Sequence, residues 1–189
     1  MSVSSSREQP FDQGKARAVP ENLMSMVEMA YISIGSNIDR QRNVRFALSQ
    51  LRERHPSLVH SSVYETQAVG FDGDPFYNLV VAFETELSVY DVRGWLRTIE
   101  AQCGRDRAQP RFSPRTLDMD LLLFGDLVTA ENGLQLPRDE ITLNAYVLRP
   151  LAEIAGTRCH PTLGKTFDEL WSALQVADVT LKTVEFCTS

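Results

Sequence analysis

Arg115-Thr116-Leu117-Asp118-Met119-Asp120-Leu121-Leu122-Leu123-Phe124-Gly125 is the stretch that decides how this 189-residue chain is read. Leu117 to Phe124 is a short apolar run closed by Gly125, the pattern of a buried strand. Asp118 and Asp120 interrupt it two residues apart. Period-two geometry puts both carboxylates on one face, while Leu117, Met119 and Leu121 point the other way, into a core. Two carboxylates side by side repel and resist burial unless a cation joins them. Hard oxygen ligands with open positions suit Mg²⁺, which takes one or two carboxylates and completes its shell with phosphates and water.

Immediately upstream, Arg105 to Pro114 is a basic loop, and Arg105, Arg107, Arg111 and Arg115 stand in or beside it. Guanidinium forks match phosphate oxygens bidentately. An Asp-X-Asp pair alone is commonly a solvated strand edge, and loop arginines usually face water. Acids for a metal directly after arginines for phosphates, with Pro114 stiffening the approach, describe nucleotide-phosphate chemistry.

The elements before this strand give the fold. Tyr31–Ile34 reads as a strand closed by Gly35-Ser36-Asn37, a turn cluster able to cap a helix from about Arg42 to Arg54. Val44, Ala47, Leu48 and Leu51 make that helix's buried stripe, and Pro56 ends it. Val59–Thr66 alternates as a strand, Gln67–Pro75 is a loop, and Phe76–Glu84 is an apolar strand. Ser88 with Asp91 resembles a capping box opening a second helix buried through Val92, Leu96 and Ile99, and Gly104 terminates it. The order is β-α-β-β-α-β, which predicts an α+β fold with a ferredoxin-like core: an antiparallel sheet with two helices on one face. Beyond it the sequence predicts a hairpin near Gly125-Asp126, a loop through Pro137, a helix around Asn144–Ile154 and a short helix near Phe167–Leu174. Residues 29–175 form one domain, 176–189 a C-terminal tail, and 1–28 a polar extension without apolar periodicity, expected to be disordered. Met24, Met26 and Met29 just before the first strand read as candidate start sites.

The net charge of −6 argues against holding nucleic acid by bulk electrostatics. No apolar run reaches the roughly 18–20 residues needed to span a bilayer. Cys103, Cys159 and Cys187 are odd in number and far apart, so they read as reduced thiols of a cytoplasmic protein.

The quoted stretch with its preceding Pro114 resembles the signature of the hydroxymethyldihydropterin pyrophosphokinases. Other parts match in order: Ala30 to Asn37, Tyr64-Glu65-Thr66, Phe76-Tyr77-Asn78, Ile99-Glu100, Gly104-Arg105, Leu148 and Pro150 to Ala155. The resemblance covers about residues 30–175. It implies a monomeric enzyme that passes pyrophosphate from ATP to a reduced pterin, with the pterin hydroxymethyl oxygen attacking the β-phosphorus and AMP leaving. It implies that Asp118 and Asp120 hold two Mg²⁺ ions, and that Arg105, Arg107, Arg111 and Arg115 bind the phosphates. Arg105 and Arg115 would also stabilise the charge of transfer, and Glu100 would help to seat the nucleotide. Asn78 would hydrogen-bond the pterin, with groups at Thr66 and Val69 and the Asp118 carboxylate beside it. Phe76 and Tyr146 would stack on its two faces, although an isolated aromatic is more often core.

Three positions depart from the family's pattern. Phe112 and Ser113 replace a Trp-Gly pair, Ala108 replaces a basic residue, and Pro137-Arg138-Asp139 stands where a Pro-His pair contacts ATP. Arg138 could supply the missing ATP donor; Asp139 would oppose a phosphate. A catalytically weak homologue binding pterin or nucleotide for regulation is the competing reading. The intact Asp118, Asp120, Arg105 and Arg115 speak against it. An RNA-binding ferredoxin-like module is a third reading, but the aromatic strand motif it needs is missing.

Overall fold

In the computed structural model, which describes residues 27–68, 70–105, 113–174 and 180–186, the central strand is β1 (Glu28–Ser36). It pairs antiparallel with β4 (Phe76–Thr85) on one side and β5 (Asp118–Phe124) on the other. β3 (Val63–Thr66) extends the sheet beyond β4, and the order β5-β1-β4-β3 is the ferredoxin-like one. Strand pairing puts Gly35 opposite Asn78 on one neighbour and opposite Asp118 on the other.

One face of the sheet is apolar along its length. Ile32, Ile34, Leu79, Val81, Phe83, Met119 and Leu121 pack there against α1 (Arg40–Arg54) and α2 (Val89–Gln102). The helices contribute the stripes that their spacing predicts, Val44, Ala47, Leu48 and Leu51 from α1 and Val92, Leu96 and Ile99 from α2. Fully burying each of the larger side chains, the valines, leucines and isoleucine, stabilises by about 1.5–3 kcal/mol before conformational entropy is set against it. Ser88 caps α2 by accepting the Asp91 N–H, and Gly104 ends its last turn at φ 72°, a value that favours glycine.

The opposite face changes character along the strands. At one end Tyr31, Val80, Ala82, Leu122 and Leu123 pack under α4 (Ala145–Ala155) and α5 (Phe167–Ala173). At the other end the same rows carry Ser33 and Gly35, Asn78, Asp118 and Asp120, which α4 leaves uncovered. β5 carries a bulge at the covered end: Tyr31 pairs with Leu123 but Ile32 with Leu121, so Leu122 is the extra residue, and Leu122 and Leu123 both pack on this face. Leu121 and Phe124 pack in the core of the other face, so all four consecutive apolar residues are buried.

Several local expectations change. Gly35-Ser36-Asn37 does not cap α1: β1 continues through Ser36, and the helix starts at Arg40 after Asp39 in the left-handed region, φ 43°. The expected Val59–Thr66 strand is two pieces, β2 (Val59–His60) and β3, because Ser61 turns inward and its hydroxyl accepts the Val80 N–H. The hairpin is not at Gly125-Asp126. It is β6 (Thr129–Glu131) and β7 (Leu134–Leu136), joined by Asn132-Gly133 at φ 51° and 66°. Asn-Gly tolerates two positive φ values in succession, the type I′ requirement. A short α3 (Glu140–Leu143) precedes α4. Within the expected tail, β8 (Lys182–Val184) pairs with β3 as an edge strand. Glu28 already pairs with Thr85, while the rest of the extension up to residue 26 lies outside the described residues. Among the described residues no helix is long and apolar enough to cross a membrane.

Candidate active site

The uncovered polar end of the sheet is the floor of a cleft of about 230 Å³. Gly35 lies at its centre, with Asn78 and Asp118 on either side in one row. Neighbouring strands stand about 4.8 Å apart, so those two side chains lie on the order of 10 Å apart across a glycine. A Cβ at Gly35 would stand 3.4 Å from Asn78 Oδ1 and take up the floor between them. Asn78, 7% exposed, is oriented by donating through Nδ2 to Thr66 Oγ1 at 2.8 Å, which leaves its Oδ1 toward the floor. Phe76 enters from β4, Tyr146 from the first turn of α4, and Phe71 from the loop between β3 and β4. Thus Thr66, Phe76, Asn78, Arg115, Asp118, Asp120 and Tyr146 line one cleft.

The two carboxylates project on the cleft face as their spacing predicts, with side chains 40% and 49% exposed. Each meets a guanidinium. Arg105 Nη2 lies 3.2 Å from Asp118 Oδ1, and Arg138 Nη2 lies 3.5 Å from Asp120 Oδ1 and 2.9 Å from Glu140 Oε1. Arg115 reaches the hydroxyl of Ser113. Burial and the neighbouring Arg105 guanidinium lower the pKa of Arg115 from its ordinary value, with Asp118 acting against them. Arg105 and Arg115 thus repel one another at the cleft edge, which an anion between them would relieve.

Ser36 and Asn37 have a task that the sequence reading missed. Asn37 Oδ1 accepts the Arg115 N–H at 2.7 Å, and the N–H groups of Asn37 and Ile38 both donate to the Arg115 carbonyl. Ser36 Oγ and Asn43 Nδ2 donate to the Thr116 carbonyl at 2.6 and 2.9 Å. Asn37 Nδ2 donates to the Asp74 carbonyl, tying the loop ahead of β4 to the same knot. Two buried side chains at the end of β1 thus fix the backbone that carries Arg115.

Glu100 differs from its expected place against the nucleotide. At 1% exposure it lies beneath β5, and its Oε1 accepts the Met119 N–H at 2.9 Å. It holds the strand between the two aspartates instead of facing the cleft. Arg107, Arg111 and Val69 lie outside the described residues. Beyond the outer edge of β5, Arg93, Leu96 and Arg97 of α2 line a second pocket of about 70 Å³ with Leu121, Gln135 and Arg138. Asp120 borders both pockets. The arginines at 93 and 97 are one helical turn apart on an otherwise amphipathic helix, a signal that reads as a solvated face until β7 is placed against it.

Two carboxylates with open coordination positions fit a hard divalent cation. Among the described residues no three His, Cys, Asp or Glu side chains converge on a point. Two half-exposed carboxylates suit Mg²⁺ arriving with phosphates, since that ion takes one or two carboxylates and completes its shell with phosphate oxygens and water.

Residues 31–156 match the sequence model of the family described as 7,8-dihydro-6-hydroxymethylpterin-pyrophosphokinase (HPPK). The chain is 38% identical over 133 residues to the 2-amino-4-hydroxy-6-hydroxymethyldihydropteridine pyrophosphokinase of Bacillus subtilis, covering 68% of this chain and 79% of that one. It is 35% identical over 134 residues to the enzyme of the same name from Pseudomonas aeruginosa, covering 69% and 82%. Among solved structures, HPPK-DHPS of Plasmodium falciparum with pteroate superimposes with a TM-score of 0.61 at 13% identity, over 78% of this chain and 42% of that longer one. At that identity the likeness concerns the fold.

Proposed function

This chain belongs to the 7,8-dihydro-6-hydroxymethylpterin-pyrophosphokinase family, and from that membership we propose how its cleft performs the reaction. The enzyme transfers pyrophosphate from ATP to the hydroxymethyl group of 6-hydroxymethyl-7,8-dihydropterin in folate biosynthesis. The hydroxymethyl oxygen bonds to the β-phosphorus of ATP and gives up its proton to solvent, the bond from that phosphorus to the α–β bridging oxygen breaks, and AMP departs.

The observation that carries the assignment of parts is the row Asn78–Gly35–Asp118. The pterin lies over Gly35 between Phe76 and Tyr146, with its hydrogen-bonding edge at Asn78 and backbone groups near Thr66 and Val69. That orientation brings the hydroxymethyl arm toward Asp118. Asp120 borders both pockets, so the nucleoside occupies the pocket of Arg93, Arg97 and Arg138 while the phosphates cross Asp120 into the cleft. Asp118 and Asp120 would hold Mg²⁺, two ions on this reading, and the metal would supply neutralisation of the phosphate charge. Arg105 and Arg115 pair with the oxygens of the transferred group, and Arg107 and Arg111 belong to the same phosphate-binding set. Arg138 takes the position of the histidine in the family's pattern. Such transfer depends on alignment and charge neutralisation and calls for no nucleophilic side chain.

The experiment is to incubate the protein with Mg-ATP and 6-hydroxymethyl-7,8-dihydropterin and to follow AMP and pyrophosphorylated pterin. Wild type forms both, and Asp118→Ala and Asp120→Ala lose turnover while melting near the wild-type temperature, since each removes a half-exposed side chain. Near-normal turnover by either variant at saturating Mg²⁺ would overturn the metal assignment.

A further inference from the structure

We propose that Phe71 is a specificity-determining wall of the pterin cleft and that Gly73 is the positioning residue that seats its ring, an inference that rests on the pyrophosphokinase reading. The cleft has two expected stacking aromatics, and Phe71 is a third, borne by the loop between β3 and β4. Its ring stands 6.2 Å from that of Phe76 with the planes at 87°. A flat heterocycle lying on the Phe76 face therefore runs perpendicular to the Phe71 ring, which on this proposal bounds it at an edge. Faces are shared by every flat heterocycle, whereas edges carry the substituents, so a wall against the edge discriminates by outline.

Gly73 makes this seat possible. A Cβ built there would collide with Cε2 of Phe71 and stand 3.0 and 3.3 Å from Cδ2 and Cζ. The ring lies against the bare backbone of Gly73 and also meets the Phe76 ring at a near-right angle. Any side chain at position 73 pushes the ring from this seat. The same loop is anchored through the Asp74 and Pro75 carbonyls, which accept from Asn37 Nδ2 and Arg40 Nη1 at 3.0 and 2.7 Å. The backbone beneath the ring is thus held independently of Phe71.

The wall lies on the β3–β4 side of the cleft, and the aspartates lie on β5 across β1. A contact remote from the transferring phosphorus is made equally in the ground and transition states, so its loss raises KM and leaves kcat nearly alone. The test measures 6-hydroxymethyl-7,8-dihydropterin affinity by calorimetry with a non-hydrolysable ATP analogue, together with steady-state kinetics and thermal melts. Phe71→Ala raises the pterin Kd and KM roughly tenfold or more, with ATP KM and melting temperature unchanged. Phe71→Tyr retains most of the affinity. Gly73→Ala weakens pterin binding in the same direction, and in a Phe71→Ala background it adds nothing, because the ring it displaces is gone. Wild-type pterin binding by Phe71→Ala, or additive penalties in the double variant, overturns the proposal. If Gly73→Ala lowers the melting temperature, the comparison of Phe71→Ala with Phe71→Tyr decides alone. A wild-type protein that forms no AMP sinks the functional reading instead, and the two failures are distinct.

Discussion

Arg115 is positioned through its backbone: its N–H and carbonyl are both held by Asn37, and the side chain is left at the cleft edge beside Arg105 and Asp118. A guanidinium so placed pairs best with oxygens whose charge redistributes during transfer, so its contribution is differential between ground and transition states. Arg115→Ala should lower kcat by roughly 10²–10³, the scale of other preorganised donors, with a smaller effect on ATP affinity. Lysine should rescue in part, because a point charge lacks the bidentate fork. Without ATP the alanine variant should melt no lower than wild type, since a guanidinium crowded by Arg105 is removed. Single-turnover kinetics beside a melt check this, and a normal chemical step would refute the transition-state role.

At the scale of elements, α4 must stay docked at one end of the sheet so that Tyr146 overhangs the other. Glu153 fastens it to β3: its Oε1 accepts the N–H and hydroxyl of Ser62 at 2.9 and 2.8 Å, and its Oε2 accepts the Tyr64 hydroxyl at 2.8 Å. Burial opposes ionisation of this carboxyl, but the Ser62 bonds, the Tyr64 bond and Arg149 outweigh it, and its pKa is lowered. A carboxyl whose folded pKa is depressed contributes stability that is present above the unfolded carboxylate value and is lost as pH falls through the folded one. Glu153→Gln should therefore melt below wild type at neutral pH, and the gap should close as pH drops below the usual carboxylate range. A gap constant with pH would show that the fastening is not ionic. Melting curves over a pH series decide it.

On the scale of the whole molecule, β8 covers the edge that β3 would otherwise present to solvent. Phe186 just beyond it meets the Tyr77 ring edge-on at 6.0 Å, and the Arg45 guanidinium lies 5.7 Å from the Phe186 ring. Truncation after Leu174 removes the strand and this aromatic contact. The contact alone is worth about 0.5–1.5 kcal/mol beyond area burial. The expected result is a melting temperature a few degrees lower, at the few degrees per kcal/mol of a domain this size. Turnover below the melt should persist, because no cleft residue is lost. An unchanged melt would mean that the strand contributes nothing.

The β-α-β-β-α-β order, the two helical stripes and the Asp118/Asp120 pair were legible in the sequence because each rests on local periodicity, which one face of one element displays. Arg105 and Arg115, which stand at the cleft, were singled out through charge. The Asn132-Gly133 hairpin was equally local and was misplaced because Gly125-Asp126 offers a similar turn signal; the decisive difference is two successive positive φ values. What only the tertiary structure decided lies between elements. The knot from Ser36 and Asn37 to Arg115 spans 78 positions between Asn37 and Arg115, Glu100 supports Met119 from beneath, and Phe71 rests on Gly73 only because the loop folds back. The partial cover of α4 divides one sheet face into a core and a cleft. Periodicity tells which face of a strand a residue occupies, but whether that face meets a helix or solvent depends on packing partners far along the chain.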